Sequence, residues 1–182
     1  MRKDQHRERS RKRVIAIDPS TTGFGYVIFE GPERLVDWGV PYFRGDKRVR
    51  GLKRIAKLVE MYDPDVAVLE DTSAAGCRRC VRVRKFLRAA SALFTRRGVR
   101  VKVVPRIAMC QVFADVGCAN KDDIAAEIAV RHPELEPRVP PRRKCWMGED
   151  WRISMFDAAA FAHTYFGAKE QEVRRVAERE AA

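Results

Sequence analysis

An apolar run, Val14-Ile15-Ala16-Ile17, ends in a single carboxylate at Asp18, and Pro19 follows directly. A polar turn that contains glycine, residues 20–25, then leads into a second apolar run that reaches residue 29. Short runs rich in β-branched and aromatic residues, separated by a turn with glycine, are typical of neighbouring antiparallel strands. The pattern therefore predicts a buried strand that carries an acid at its tip.

The rest of the chain alternates between strand and helix patterns. Further strands are predicted at residues 34–40, 66–69 and 99–104. Helical spacing of apolar residues predicts helices at residues 48–61, 80–96, 105–116, 121–131 and 149–166, and four prolines between residues 133 and 141 predict a loop. We therefore expect an α/β fold with a mixed sheet, three antiparallel strands plus two parallel strands, flanked by helices.

The charge of the chain points to a nucleic-acid partner. Thirty-seven Lys and Arg residues against 25 Asp and Glu give a formal net charge of +12. Residues 1–13 are expected to form a basic flexible arm, residues 14–166 the folded domain, and residues 167–182 a charged C-terminal tail, frayed or helical. No apolar stretch approaches the ~20 residues of a membrane span. We therefore expect a cytoplasmic protein with no membrane partner.

Two more carboxylates repeat the chemistry of Asp18. Glu70 ends the apolar run 66–69, and Asp157 opens a small-residue stretch, 157–162. Asp18 and Glu70 would be neighbours if their strands pair in parallel, and Asp157 would then arrive from the last helix. Mg²⁺ prefers hard oxygen ligands, and two such ions about 3.5–4 Å apart can activate a water and stabilise the leaving oxygen. Three converging acids in a basic chain therefore indicate metal-assisted phosphodiester chemistry.

Four motifs, in this order, resemble those of the RuvC-type Holliday junction resolvases, members of the ribonuclease H-like superfamily. Residues 15–26 resemble the family's first strand and hairpin, and Val68-Leu69-Glu70 resembles its second acidic strand. Asn120-Lys121-Asp122-Asp123-Ile124-Ala125 is similar to its lysine-bearing helix start. Asp157-Ala158-Ala159-Ala160-Phe161-Ala162 resembles its final catalytic helix, so the similarity runs from about residue 14 to residue 166.

The resemblance implies a ribonuclease H-like nuclease domain with the activity of a crossover junction endodeoxyribonuclease. Such an enzyme is a Mg²⁺-dependent homodimer that makes paired nicks in four-way DNA junctions. By position, Asp18, Glu70 and Asp157 are the implied catalytic metal ligands, for two Mg²⁺ ions that Mn²⁺ can replace. Lys121 is implied as the residue that contacts a phosphate or stabilises transition-state charge. The implied partners are branched DNA and a second copy of the chain, and the sequence does not identify a branch-migration helicase.

The chain departs from the family pattern at two places. The family's final helix usually carries two acids three residues apart, whereas Ser154 stands three residues before Asp157. We expect Asp150, on nearly the same face of the predicted helix, or Glu149 to supply the fourth metal ligand, or Ser154 to hold a metal-bound water. After the second acid, where family members often present an aromatic residue to unpaired bases, residues 71–79 contain none. Trp146 and Trp151 are expected to be packing residues.

The nucleic-acid contacts are predicted to come from clustered cations, and binding should weaken steeply with salt. The predicted set is Arg78, Arg79, Arg82, Lys121, Arg142, Arg143 and Lys144.

Two other functions stay open at this point. A nuclease of the same fold would act on ribosomal RNA precursors, RNA–DNA hybrids or other branched DNA. A non-cutting junction-binding or scaffolding protein is the second alternative, since Ser154 replaces an expected acid. Comparing cleavage of a four-way junction, a hybrid and a linear duplex separates the three.

Overall fold

The computed structural model describes residues 12–142, 144 and 146–180, and within them five strands form one mixed sheet. The strands are β1 (Arg13–Pro19), β2 (Phe24–Glu30), β3 (Leu35–Gly39), β4 (Val66–Glu70) and β5 (Arg100–Val104). Their spatial order is β3-β2-β1-β4-β5. β1, β2 and β3 are antiparallel, while β4 pairs in parallel with both β1 and β5. The predicted fold class and strand directions are confirmed.

Helices flank the sheet, as the sequence predicts. They are α1 (Lys47–Tyr62), α2 (Val81–Arg96), α3 (Arg106–Ala114), α4 (Lys121–Arg131) and α5 (Ile153–Glu180), with a 3₁₀ helix at Pro133–Arg138. Two expectations were wrong in detail. The proline-rich segment contains that 3₁₀ helix rather than only loop, and α5 begins four residues later than predicted and continues past residue 166. No helix in the described part of the chain is both long and apolar enough to span a membrane.

Strand alternation divides the apolar core into two layers, one on each face of the sheet. Ile15 and Ile17 of β1 face the layer that α1 and α2 cover. Val14 and Ala16 face the other layer, which contains α3, α4 and the first half of α5. Asp18 continues the second set, so the alternation directs its side chain toward α5.

Some predicted segments lie outside the described residues. They are residues 1–11 of the basic arm, Arg143 of the predicted DNA contacts, and the last two residues of the tail. The described part of the tail is helical, because α5 runs to Glu180 without a break.

Candidate active site

Asp18 and Glu70 are neighbours at the carboxyl ends of two parallel strands. Ile17 pairs with Leu69 in the β1/β4 register, which places the next residue of each strand side by side. Both acids follow the same alternation, since Val66 and Val68 share the α5 face with Glu70. Each carboxylate side chain is only 3% exposed. The sheet therefore fixes two buried negative charges next to each other.

Asp157 completes the cluster from α5, where its side chain is 1% exposed. The start of α5 comes unusually close to the sheet at Gly25, which pairs with Asp18 in the β1/β2 register. A Cβ atom on Gly25 would lie 2.1 Å from the Ser154 carbonyl carbon, so a larger residue does not fit there. The missing side chain at residue 25 thus lets the helix place Asp157 beside β1.

One guanidinium group contacts all three acids. Arg106, the first residue of α3, donates to Asp18 Oδ1 at 2.9 Å, to Glu70 Oε1 at 3.1 Å and to Asp157 Oδ2 at 3.0 Å. Its guanidinium carbon also lies 5.1 Å from the centre of the Phe161 ring, one turn after Asp157. Among the described residues, no three His, Cys, Asp or Glu side chains group directly as metal ligands do. The acids surround an arginine instead.

A second arginine closes the cluster from the loop before α2. Arg79 Nε donates to Glu70 Oε2 at 2.6 Å, and Arg79 Nη2 donates to Asp18. Arg84 holds that loop in turn, donating from Nε to the Arg79 carbonyl at 2.9 Å. Arg79 belongs to the predicted nucleic-acid contacts, and the structure places its side chain among the acids, 21% exposed.

Lys121 extends the cluster toward solvent. Asn120 caps α4 by accepting from the backbone N–H groups of Asp122 and Asp123, which fixes Lys121 at the first helical position. The Lys121 ammonium lies 2.9 Å from Asp157 Oδ2 and 2.8 Å from Glu149 Oε1. The structure therefore brings together Asp18, Glu70, Asp157 and Lys121, the four residues that the sequence analysis grouped.

Burial and neighbouring charges shift the pKa values of Asp18 and Arg106. Burial, and then the negative charge of Asp157, raise the pKa of Asp18 to about 7, although Arg79, Arg106 and Lys121 oppose this rise. Burial alone would lower the pKa of Arg106, but the charges of Asp157 and Asp18 outweigh it and raise that pKa. Two arginines and a lysine thus oppose part of the effect of burial on the pKa of Asp18.

The three candidates for a fourth metal ligand differ in their contacts. Asp150 precedes α5 rather than lying on its face, because its carboxylate accepts from the Arg152 backbone and guanidinium. The helical-face argument for Asp150 was therefore wrong. Ser154 is buried and donates to the Trp151 carbonyl at 2.8 Å. Glu149 is connected to the cluster, since it shares the Lys121 ammonium with Asp157.

The remaining predicted DNA contacts lie on the surface around the cluster. Arg78, in the loop before α2, and Arg82, in the first turn of α2, are exposed. Arg142 is also exposed and is paired with Asp123 at 2.7 Å. Lys144 lies over the ring of Trp146, at 5.4 Å from its centre.

Trp146 itself is 76% exposed and Trp151 is 51% exposed. The expected packing role is therefore wrong for these two residues. The loop before α5 presents an aromatic surface instead.

Arg106 is the residue of the site that sequence reasoning missed. It follows Pro105 and looks like an ordinary first residue of a helix. The usable signal was its position directly after β5, because β5 pairs in parallel with β4 and both strands end at the same edge. A charged residue there must lie near Glu70.

Among the solved structures that are similar to this chain over most of its length are two from Thermus thermophilus. The Thermus thermophilus RuvC structure matches with a TM-score of 0.62 and 21% sequence identity, covering 87% of this chain and 96% of that one. This chain has a RuvC-like fold. T. thermophilus RuvC in complex with a Holliday junction substrate matches with the same TM-score and coverage, at 19% identity. No protein-family model matches the sequence, and no curated protein is similar to it at a significant level. The RuvC-like fold is thus evident in three dimensions rather than in overall sequence similarity.

Proposed function

We propose that this chain is a metal-dependent, structure-selective DNA endonuclease that resolves four-way junctions by paired phosphodiester hydrolysis. The observation that carries the proposal is the convergence of Asp18, Glu70 and Asp157 on one point at the strand ends of a RuvC-like fold. The net charge of +12 suits a polyanionic substrate. The similar T. thermophilus protein was solved with a Holliday junction substrate, which supports this substrate class.

The residues of the cluster fit a hard divalent cation. Asp18, Glu70 and Asp157 offer carboxylate oxygens, the ligands that Mg²⁺ and Mn²⁺ prefer. Their oxygens are already oriented toward a cationic group, because Arg106 contacts all three. Bound there, one or two such ions would supply an activated water and stabilise the leaving oxygen. Glu149 is the best-placed candidate for a fourth carboxylate.

The chain's own cations would handle the negative charge of the substrate. Lys121 is the first residue of α4, and its ammonium can hold a phosphate there, while Asn120 accepts from the N–H groups of Asp122 and Asp123. Its side chain is 36% exposed and contacts Asp157, so it reaches from the acids to solvent. Lys121 therefore orients the phosphate and stabilises the charge that develops on it.

The DNA path would follow the exposed cations that border the cluster. Arg78 and Arg82 lie on the α2 side, and Arg142 and Lys144 lie on the loop before α5; Arg143 belongs to the same predicted set. Backbone contacts of this kind set position without reading sequence. Selection by DNA shape, rather than by bases, is the expected result.

Paired cuts require two active sites, and we infer a homodimer. The apolar residues of α2, among them Phe86 and Leu87, pack against the sheet of the same chain. The interface would therefore use a different surface.

The test is cleavage of an end-labelled synthetic four-way junction in Mg²⁺, beside a linear duplex and an RNA–DNA hybrid of matched sequence. Symmetric nicks near the crossover of the junction alone are expected. Asp18→Asn should abolish the nicks and leave junction binding within a few-fold, since the DNA contacts lie elsewhere. Asp37→Asn is the control, because Asp37 lies on β3, away from the cluster, and accepts hydrogen bonds from Tyr26 and Tyr62.

The other results identify the alternatives. Cleavage of the hybrid in preference to the junction would assign a different nucleic-acid substrate. Tight junction binding without nicks in either Mg²⁺ or Mn²⁺ would instead assign a non-cutting junction-binding protein.

A further inference from the structure

A cavity of about 580 Å³ opens beside the acid cluster. Its walls come from the turn between β1 and β2 and from the first turns of α1 and α2. Pro19 and Ser20, which directly follow Asp18, form one edge. The cavity therefore begins one residue away from the candidate active site. Its size suits one small organic group.

Positive side chains surround this cavity. Lys47 and Arg48 come from α1, and Arg82 and Lys85 come from α2. Lys47 donates to the Thr21 carbonyl at 2.8 Å, which holds it at the rim. Within the described part of the chain, Arg48, Arg82 and Lys85 form no ion pair.

The one acid of the lining, Asp46, is already engaged. Its carboxylate caps α1 by accepting from the backbone N–H groups of Arg48 and Val49, each at 3.0 Å. It does not neutralise the cations across the cavity. The rim thus carries a net positive charge that suits an anion.

The inner wall is apolar and aromatic. Phe24 and Phe86 stack with ring centres 6.0 Å apart and an angle of 29° between their planes. Val83 lies beside them, and Val81, 65% exposed, stands at the mouth. Phe24 and Phe86 are 0% and 8% exposed, so Val81 is the exposed apolar residue of the lining. A flat heterocycle would cover this apolar surface, whereas a bare phosphate would not.

A cationic rim beside an apolar surface matches the phosphate and the base of a nucleotide. The geometry points to a pocket for a single unpaired nucleobase, whose flanking phosphates contact Arg48, Arg82 and Lys85. This inference rests on the proposed function in that it takes the scissile strand to lie at Asp18. An unstacked base beside the crossover would then enter the pocket, and a paired base, held in its duplex, would not. The pocket selects DNA whose bases are already free to leave the stack.

The experiment places 2-aminopurine in turn at each position beside the crossover of a four-way junction, in metal-free buffer. Its fluorescence rises when the base leaves the stack, so wild-type protein should produce a rise at one position. A single-stranded oligonucleotide with the same label is measured in parallel. Absence of a rise at every position in both DNAs would overturn the pocket.

A side-chain variant then tests whether the base sits in this cavity. Val81→Trp changes the mouth of the pocket, and Val130→Trp is the control, because Val130 is 76% exposed on α4 and lines no part of this cavity. Val81→Trp should change the junction Kd roughly tenfold, in either direction, because aromatic groups either block or stack on a base. It should leave the Kd unchanged for a junction that is abasic at the same position. Equal effects on intact and abasic junctions would overturn the pocket.

These results separate the pocket from the proposed function. The pocket is rejected and the endonuclease is kept if the junction is nicked symmetrically but the 2-aminopurine fluorescence does not rise and the effect of Val81→Trp does not depend on the base. The pocket is kept and the junction resolvase is rejected if the fluorescence rise and the base-dependent effect of Val81→Trp occur on the single strand, but the protein does not bind the junction.

Discussion

The Nη1 group of Arg106 donates to Asp157 Oδ2 at 3.0 Å. Through the same guanidinium, the first residue of α3 also reaches the acids at the ends of β1 and β4. A metal ion would need these same carboxylate oxygens. Arg106 and a bound metal ion would therefore compete for one set of ligands, and in this structure the guanidinium holds the three carboxylates together.

Replacing Arg106 with Gln should raise the affinity for Mn²⁺ about tenfold, which corresponds to ~1.4 kcal/mol. Without metal, the variant should unfold more easily, by about 2 kcal/mol, because buried acids lose a partner. Mn²⁺ should restore that stability. Isothermal titration calorimetry and thermal unfolding measure the two effects.

Arg131→Gln is the control for this variant. Arg131 also forms an ion pair, with Glu127 at 2.8 Å, and lies over a ring, that of Phe113, but it is remote from the acids. Unchanged or weaker Mn²⁺ binding by the Arg106 variant would show that Arg106 does not compete with metal.

Lys121→Met should slow junction cleavage by about 10²–10³-fold, because the transition state loses a positioned cation. Junction affinity should change only a few-fold, since many other cations contact the backbone. Single-turnover kinetics separate cleavage from binding. Lys57→Met, at an exposed position of α1, provides the reference, and an equal loss in both variants would assign Lys121 to general charge attraction.

Trp146→Ala should weaken junction binding roughly tenfold, if one base stacks on the exposed ring. Trp151→Ala is the comparison, because Trp151 is less exposed and lies in a cleft with Trp38. Fluorescence anisotropy on the same labelled junction gives both affinities. Identical junction affinities of the wild type and the Trp146 variant would show that Trp146 does not contact the DNA.

Gly25→Ala should lower the free energy of unfolding by about 1–3 kcal/mol, since its Cβ would overlap the backbone at Ser154. The cleavage rate should fall by more than this loss of stability explains, because the displaced helix carries Asp157. Gly167→Ala, where no atom lies within 4 Å of the added Cβ, should cost nothing. Urea unfolding and cleavage rates, measured on all three proteins, decide this.

His132 and His163 should make the protein sensitive to acid. Their Nε2 atoms lie 2.7 Å apart beneath Phe29. Burial, and then the charge of His132, lower the pKa of His163 to about 3, and burial also lowers the pKa of His132. Both shifts make the folded chain bind protons less readily than the unfolded chain.

Histidine in an unfolded chain titrates near pH 6.5, so below that pH the unfolded state binds more protons. The stabilising contribution is complete above about pH 6.5 and is lost toward about pH 3, by ~1.4 kcal/mol per pH unit for each proton. Urea unfolding over this range measures the slope. His163→Phe should flatten it, and an unchanged slope would assign the acid sensitivity to other groups.

The strand pattern was the most informative part of the sequence. Period-2 alternation and strand-end positions correctly predicted that Asp18 and Glu70 meet, because parallel pairing leaves little freedom in where strand ends lie. Helical periodicity failed for Asp150, because α5 begins only at Ile153 and Asp150 instead contacts Arg152. Hydrophobicity failed for Trp146, because it does not show which aromatic residue stays outside the core.

The arginines show a further limit. Clustered cations in a basic chain predict a surface for DNA, and Arg79 was counted among them. Its actual contacts depend on the path of the loop before α2, which Arg84 holds by bonds to two backbone carbonyls. Such a path is a tertiary property without a sequence period.

The length of α5 has a practical consequence. The helix runs unbroken from Ile153 to Glu180 and carries Asp157 near its start. At a rise of 1.5 Å per residue, exposed Arg175 lies about 27 Å along the axis from that acid. The two positions belong to one unbroken helix, so a spin label at residue 175 would report any tilt of the acid-bearing end of α5.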